Sequence, residues 1–455
     1  MDEKLFTDFE KISSKQWKQQ IQYDLKGADY NDTLIWESPE GIKIKPFYHA
    51  DETPNSFYVS NKNKAFQICQ NIFVFDVEKS VRRSIETLQR GAESLRFTIQ
   101  DKNINVIRLL ETLPIETTVI YFNLQFLCPE FVKKINEIAK VRNATFYVQI
   151  DPIGQLAKEG NWFANLNSDF EVLNLIKSTC PAIHFLSIDG TLYQNAGATM
   201  VQQIAYIASH VTEYFNRIDN FNGSIVLEVA VGSHYFFEIA KLRALRLVLQ
   251  SIASEFNPDV KFHILTTPSK RNKTLYDYNV NMLRTTTECM SAILGESDAV
   301  SNLPYDVLYH KENEFGDRIS RNQLLVLKNE SYFDKVNNPA DGAYYIENIT
   351  HQMAEKALTL FKEIEVAGGF ITQLIEGTIQ RKIQESASKE QELFDSGKEI
   401  LLGTNKYPNK DDKMSHDLEL FPFMKTKPRK TLITPIIEKR LAEKIEKERL
   451  ENEKK

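Results

Sequence analysis

From about residue 65 the chain alternates between short apolar runs and longer stretches in which apolar residues recur every three or four positions. The short runs 95–99, 118–122, 145–150, 184–188, 224–229 and 260–265 are rich in β-branched and aromatic residues, which suits strands. Between them, residues 78–92, 129–142, 199–217, 234–254 and 277–294 have the spacing of amphipathic helices. Alternation of this kind predicts a parallel sheet. The number of units favours a closed (β/α)8 barrel of the TIM type over an open doubly wound sheet. No glycine-rich dinucleotide fingerprint follows the first strand, which speaks against the open alternative.

The flanks have a different pattern. Residues 1–60 form a mixed arm that contains Trp17 and the turn-forming run Ser38-Pro39-Glu40-Gly41, predicted to pack on the main domain or on a neighbour. Residues 343–392 read as two long helices joined at Gly368-Gly369. Residues 437–455 form a highly charged helical tail with a thin apolar stripe of Leu441, Ile445 and Leu450. That tail reads as a solvated, frayed end, the alternative being a segment that wraps a partner. The organisation expected is an arm at 1–60, a barrel at 61–395, and a C-terminal helical extension with its charged tail at 396–455.

Composition narrows the classes. The 455 residues are 42% hydrophobic and 26% charged, an ordinary globular balance. A net charge of −6 offers no broad polyanion-binding surface, so nucleic acid is not an expected partner. Cys69, Cys128, Cys180 and Cys289 lie far apart and form no metal-binding or disulfide framework, which fits a reducing, cytoplasmic setting. The N-terminus has no apolar secretory core, and no apolar run approaches the roughly 20 residues of a membrane helix.

Directly recognisable chemistry is sparse. Walker A, HExxH and GxSxG motifs are absent. None of the eight histidines stands in the Asp-x-His-x-x-Gly pattern of lower-axial cobalamin ligation. Barrel active sites form at the C-terminal ends of strands, so Gln149, Asp151, Asp189, Tyr193 and the strand residue His263 are the candidates. Asp151 and Asp189 could form a general acid/base pair; the plainer reading is that they cap helices and order loops. His263 reads more simply as a satisfied core histidine, and Tyr193 as an acid or a lid residue.

Several segments together resemble the methylmalonyl-CoA mutase family. The run 38–48, Ser-Pro-Glu-Gly-Ile-Lys-Ile-Lys-Pro-Phe-Tyr, is similar to the family's EGIxVKPLY segment. Residues 236–244 resemble its F-E-IAK-RA helix, 318–323 its RIARN-Q run, 338–347 its DP-GGSYY-E run, and 364–369 its IE--GG turn. The order matches, and the resemblance covers roughly 15–410.

The resemblance implies a barrel that takes a CoA thioester down its axis and, in active chains, a further C-terminal domain that binds adenosylcobalamin. The length after the barrel leaves no expected room for that domain here. It also implies departures where chemistry happens. The family's active-site histidine aligns with Leu192, and its substrate-contacting tyrosine with Asn71. The arginine that clamps the substrate carboxylate has no counterpart around 160–165. Gln149, Gln194 and His263 remain as substrate-binding remnants, with no catalytic or metal-binding residue. The family's heterodimeric bacterial members pair a catalytic large subunit with a related small one, and this chain resembles the small one. The expectation is therefore a non-catalytic subunit whose large partner holds the adenosylcobalamin and the acyl-CoA. The alternatives are a scaffold or cobalamin-loading chaperone, and an active barrel served by a separate cobalamin-binding subunit.

Overall fold

The computed structural model of the protein describes residues 10–53, 65–425 and 428–453. The expected arm–barrel boundary at 60/61 lies outside the described residues. Eight parallel strands form the centre: β1 Gln67–Phe73, β2 Ser94–Ile99, β3 Val119–Leu124, β4 Phe146–Gln149, β5 Leu186–Asp189, β6 Ser224–Val231, β7 Lys261–Pro268 and β8 Ala299–Val300. Each pairs with the next in sequence, except across the β4–β5 gap, and Ala299 of β8 pairs with both Leu265 of β7 and Gln67 of β1. The β4–β5 gap is bridged at Tyr147 and His184, where the Val148 N–H donates to the His184 carbonyl at 2.6 Å. The sheet is thus a barrel.

Strand side chains alternate between the two faces. Ile68, Leu95, Phe97, Ile120, Phe122, Val148, Ile188, Leu227 and Ile264 point outward into one large core shared with the helices. Cys69, Tyr121, Val226, Leu265 and Ala299 point inward and form a separate small cluster on the axis. The helices Val77–Gln89, Pro129–Arg142, Met200–Arg217, Tyr235–Phe256 and Val280–Leu294 lie where their spacing predicted. Two further helices, Pro152–Glu159 and Leu166–Thr179, fill the β4–β5 connection. The region 343–392 holds three helices rather than two, Tyr344–Val366, Phe370–Ile375 and Thr378–Asp395, because Gly377 at φ +75° makes a second break.

The arm packs on its own barrel. Its hairpin, Trp36–Glu37 against Lys43–Ile44, turns through Gly41 at φ +66°. That turn presents the Glu40 carboxylate to the free N–H groups of Met200 and Val201, each at 2.8 Å. A carboxylate at a helix N-terminus satisfies orphan donors and the helix dipole together. Trp36 stacks on His234 with ring centroids 5.6 Å apart.

The charged tail is not a frayed end, and this corrects the expectation. Residues 428–442 run as an extended strap over the loops that follow β4, β5 and β7. The N–H groups of Leu432 and Ile433 donate to the Gly160 carbonyl, Ile436 to Ala157, Lys439 to Asn195 and Leu441 to Arg271, all between 2.8 and 3.1 Å. Gly160 must be glycine here: it sits at φ +75°, and a Cβ would lie 2.7 Å from the Ile433 carbonyl oxygen. The helix Glu443–Glu453 then docks through buried charge. Glu446 pairs with Arg440 at 2.6 Å and accepts the Leu275 N–H at 2.7 Å, and Glu453 accepts from Tyr276 and from the Met414 and Ser415 amides. Leu441 and Leu450 are buried beside them. A thin apolar stripe understates such a helix because its anchors are carboxylates. Glu446→Ala should leave the buried Arg440 unpaired and lower stability by about 3–5 kcal/mol, measured by denaturant unfolding. An effect within experimental error would show that the tail contributes nothing to the fold.

Candidate functional site

The chain's own side chains meet across the axis of the barrel. Low in the barrel, Tyr121, Tyr147, His184 and His263 form a continuous stack. Tyr147 lies 5.2 Å from Tyr121, 4.9 Å from His184 and 4.5 Å from His263, centroid to centroid. Tyr121 Oη and His263 Nε2 share a hydrogen bond of 2.7 Å. Above the stack, even-numbered strands contribute Arg96, Gln149 and Glu228. Arg96 Nε donates to Gln149 Oε1 at 2.8 Å, Gln149 Nε2 donates to Glu228 Oε1 at 2.7 Å, and the Arg96 guanidinium pairs with the other Glu228 oxygen. The triangle is closed, so each charged group on the axis has a polar partner. Burial pushes the Glu228 carboxyl up to about 7, against the opposing pull of Arg96. Higher still, the Asn71 carbonyl oxygen and the hydroxyls of Thr267 and Ser301 are buried without a hydrogen-bond partner among the described residues.

The loop after β5 carries the other residues singled out from the sequence. Leu192 is 2% exposed and belongs to the main apolar core. Gln194 lies away from Gln149 and His263. Its carbonyl oxygen accepts from the buried Lys241 ammonium at 2.8 Å, and its amide reaches Glu238. Asp151 and Asp189 are neighbours, but each is committed to local order. Asp151 caps the helix Pro152–Glu159 through the Gly154 N–H at 2.7 Å and also accepts from the Asp189 N–H, from Tyr214 Oη at 2.6 Å and from His210 at 2.9 Å. Burial pushes its carboxyl up, but His210, Tyr214 and the Gly154 amide together hold it below the usual carboxylate range. Asp189 orders its loop by accepting from the Thr191 N–H and hydroxyl. Tyr193 is buried and hydrogen-bonds His210 Nδ1 at 3.0 Å, so it is part of this network and not a lid.

Sequence reasoning missed Arg96, Glu228, Tyr121 and Tyr147 on the axis, and His210 behind it. The signal was present for the first two. A charged residue inside each of the runs Leu95-Arg96-Phe97 and Leu227-Glu228-Val229 falls on the face opposite the apolar neighbours. His210 has no such signal, being one polar residue within an amphipathic helix.

Among the described residues no group of three or more His, Cys, Asp and Glu could hold a metal ion, and no helix is long and apolar enough to cross a membrane. Because Glu228 binds its proton more tightly folded than its ordinary value of 4.5, protonation favours the fold. Stability from this group should be greatest below about 4.5 and decline as pH rises to about 7. Glu228→Gln should remove that part of the slope of Tm against pH; identical slopes in the two proteins would refute it.

A family profile described as methylmalonyl-CoA mutase matches residues 122–451. The methylmalonyl-CoA mutase small subunit of Porphyromonas gingivalis is 32% identical over 449 residues, 90% of this chain and 71% of that protein. The methylmalonyl-CoA mutase of Rhizobium meliloti is 33% identical over 251 residues, 52% of this chain and 35% of that protein, so the chain aligns with about a third of its length. The methylmalonyl-CoA mutase large subunit of Streptomyces virginiae is 24% identical, covering 87% of this chain and 62% of its own. With the profile spanning most of the barrel and strap, and a relative aligned over nine-tenths of the sequence, the chain belongs to the methylmalonyl-CoA mutase family.

Proposed function

We propose that this chain is the small, non-catalytic subunit of a methylmalonyl-CoA mutase. It supports a large subunit that interconverts methylmalonyl-CoA and succinyl-CoA by a radical 1,2-rearrangement. The observation that carries this reading is the set of side-chain contacts that cross the axis. A thioester threaded through a barrel needs a channel, and here the Tyr121–Tyr147–His263 stack and the Arg96–Gln149–Glu228 triangle span the interior. Gln149 and His263 are then remnants of a binding site turned into filling, and Gln194 a remnant turned into a partner for Lys241. Leu192, in the position of the family's histidine, has no proton to give. The likeness to a relative named as a small subunit, over 90% of the chain, supports the same role.

The residues of the mouth do not fit a corrin cofactor. The chain's own strap crosses the loops after β4, β5 and β7, and His310, beyond β8, is held between Asp306 and Asp417 at 3.1 Å each. Adenosylcobalamin and acyl-CoA are therefore assigned to the large subunit, and no step is routed through this barrel. The arm at 1–60 and the extension at 396–455 flank the barrel at 61–395 as the parts that meet the partner. The free cysteines suit a cytoplasmic complex.

Co-expression with a family large subunit should give a stable one-to-one complex. Its mutase activity should stay within about twofold when Gln149→Met and His263→Phe are introduced here. A chain that purifies alone and ignores the large subunit points instead to a scaffold or loading chaperone, and activity abolished by those substitutions points to a working barrel. Leu192→His should create no isomerase turnover in the chain without its partner; measurable turnover, with or without an added cobalamin-binding protein, would contradict the non-catalytic assignment.

A further inference from the structure

The barrel mouth carries a cleft that a purely supporting role leaves unused. Its volume is about 550 Å³, and small-molecule sites run from roughly 300 to 1,000 Å³. One wall is the barrel, with Leu192, Asn195, Lys158 and Lys270; the other is the C-terminal segment, with Phe421, Ile437 and Lys439. Phe421 is 59% and Ile437 40% exposed, so the second wall offers apolar surface that the fold does not bury.

The charges around the cleft are unequally spent. Of its acids, Glu159 pairs with Arg429, while Glu438 accepts from Asn195 at 3.0 Å and Glu443 from the Met424 and Arg440 amides. The arginines Arg271 and Arg440 are paired with Glu390 and Glu446. The lysines are different. Among the described residues Lys270 and Lys439 have no carboxylate within ion-pair distance, and Lys158 has only Asp189 at 4.0 Å.

Asn195 holds the backbones of two of these lysines. Its side-chain carbonyl accepts the Lys270 N–H at 3.0 Å, and its main-chain carbonyl accepts the Lys439 N–H at 3.0 Å. Asn195 is 4% exposed, so the two backbone segments meet at a buried residue. Lys158, Lys270 and Lys439 all line this one cleft, and several ammonium groups around one cavity suit a compact dianion better than a monoanion. The adjoining Leu192, Phe421 and Ile437 suit an aliphatic or aromatic body.

We propose that this cleft binds an amphipathic phosphate monoester, its dianionic head on Lys158, Lys270 and Lys439 and its apolar body between Leu192, Phe421 and Ile437. The site is proposed for the chain without its partner, since Phe421, Ile437 and Lys439 lie in the extension assigned above to partner contact. The test is calorimetric titration of the full chain with hexyl phosphate, inorganic phosphate and hexanoate. Hexyl phosphate should bind saturably and at least about tenfold more tightly than either of the other two, with affinity falling as salt is raised. The double variant Lys270→Glu/Lys439→Glu should weaken it by about tenfold or more while leaving the unliganded Tm unchanged. Should that variant unfold, Lys270→Ser/Lys439→Ser carries the same expectation. No saturable binding of hexyl phosphate, equal binding of hexanoate, or affinity indifferent to the lysine substitutions would each overturn the proposal.

Discussion

The closed triangle of Arg96, Gln149 and Glu228 is the constraint on which the rest of the structure depends. Charges taken out of water cost several kcal/mol each unless geometry and hydrogen bonding repay it. On this axis they are repaid: Glu228 has Arg96 on one oxygen and Gln149 on the other, and Gln149 is held in turn by Arg96. The aromatic stack beneath supplies the apolar floor. A barrel crossed in this way is braced from within by its own side chains.

The same device recurs outside the axis. Arg243 pairs with Asp341 and Glu347, Lys273 with Glu288, Lys241 with Glu238, and Arg440 with Glu446, with the arginine or lysine and at least one acid of each set buried. The Arg243 pairs join elements about a hundred residues apart and the Lys273–Glu288 pair fixes the loop after β7, while Lys241–Glu238 lies within the helix Tyr235–Phe256. Lys241 also anchors Gln194 and Gln203 and the Ala230 carbonyl, which ties the β5 loop to the helix Met200–Arg217. The arm enters this framework through Glu40 and the tail through Glu446 and Glu453, so both flanks are locked by carboxylates on backbone amides. Breaking such a bond leaves a buried charge or a buried donor without a partner, which is why single side chains hold whole segments.

Much of this was legible in the sequence, and what was not has physical reasons. The six apolar runs read as strands because their outward faces are dense in β-branched and aromatic residues. β1 escaped because Gln67, Gln70 and Asn71 interrupt it, and Gln70 faces outward only because Arg321 donates to it. β8 is two residues long and carries no pattern. The helix Pro152–Glu159 had its start signal in Asp151-Pro152, a cap followed by proline at the first turn, and Asp151 holds the capping role that was its plainer reading. The tail was misjudged because its buried anchors are charged. At the site, Leu192 and Asn71 gained meaning only through the family resemblance, since a leucine and an asparagine carry no chemistry of their own to search for. The Asp151–His210–Tyr193 network joins three separate stretches of chain, and spacing along the sequence cannot bring them together.

On the proposed reading this barrel does not take substrate and its partner does. Calorimetric titration of the assembled two-chain complex with methylmalonyl-CoA tests it most directly. The account predicts a single ligand bound per complex, whereas saturation at two ligands per complex, with the second lost on substituting axial residues of this chain, would contradict it.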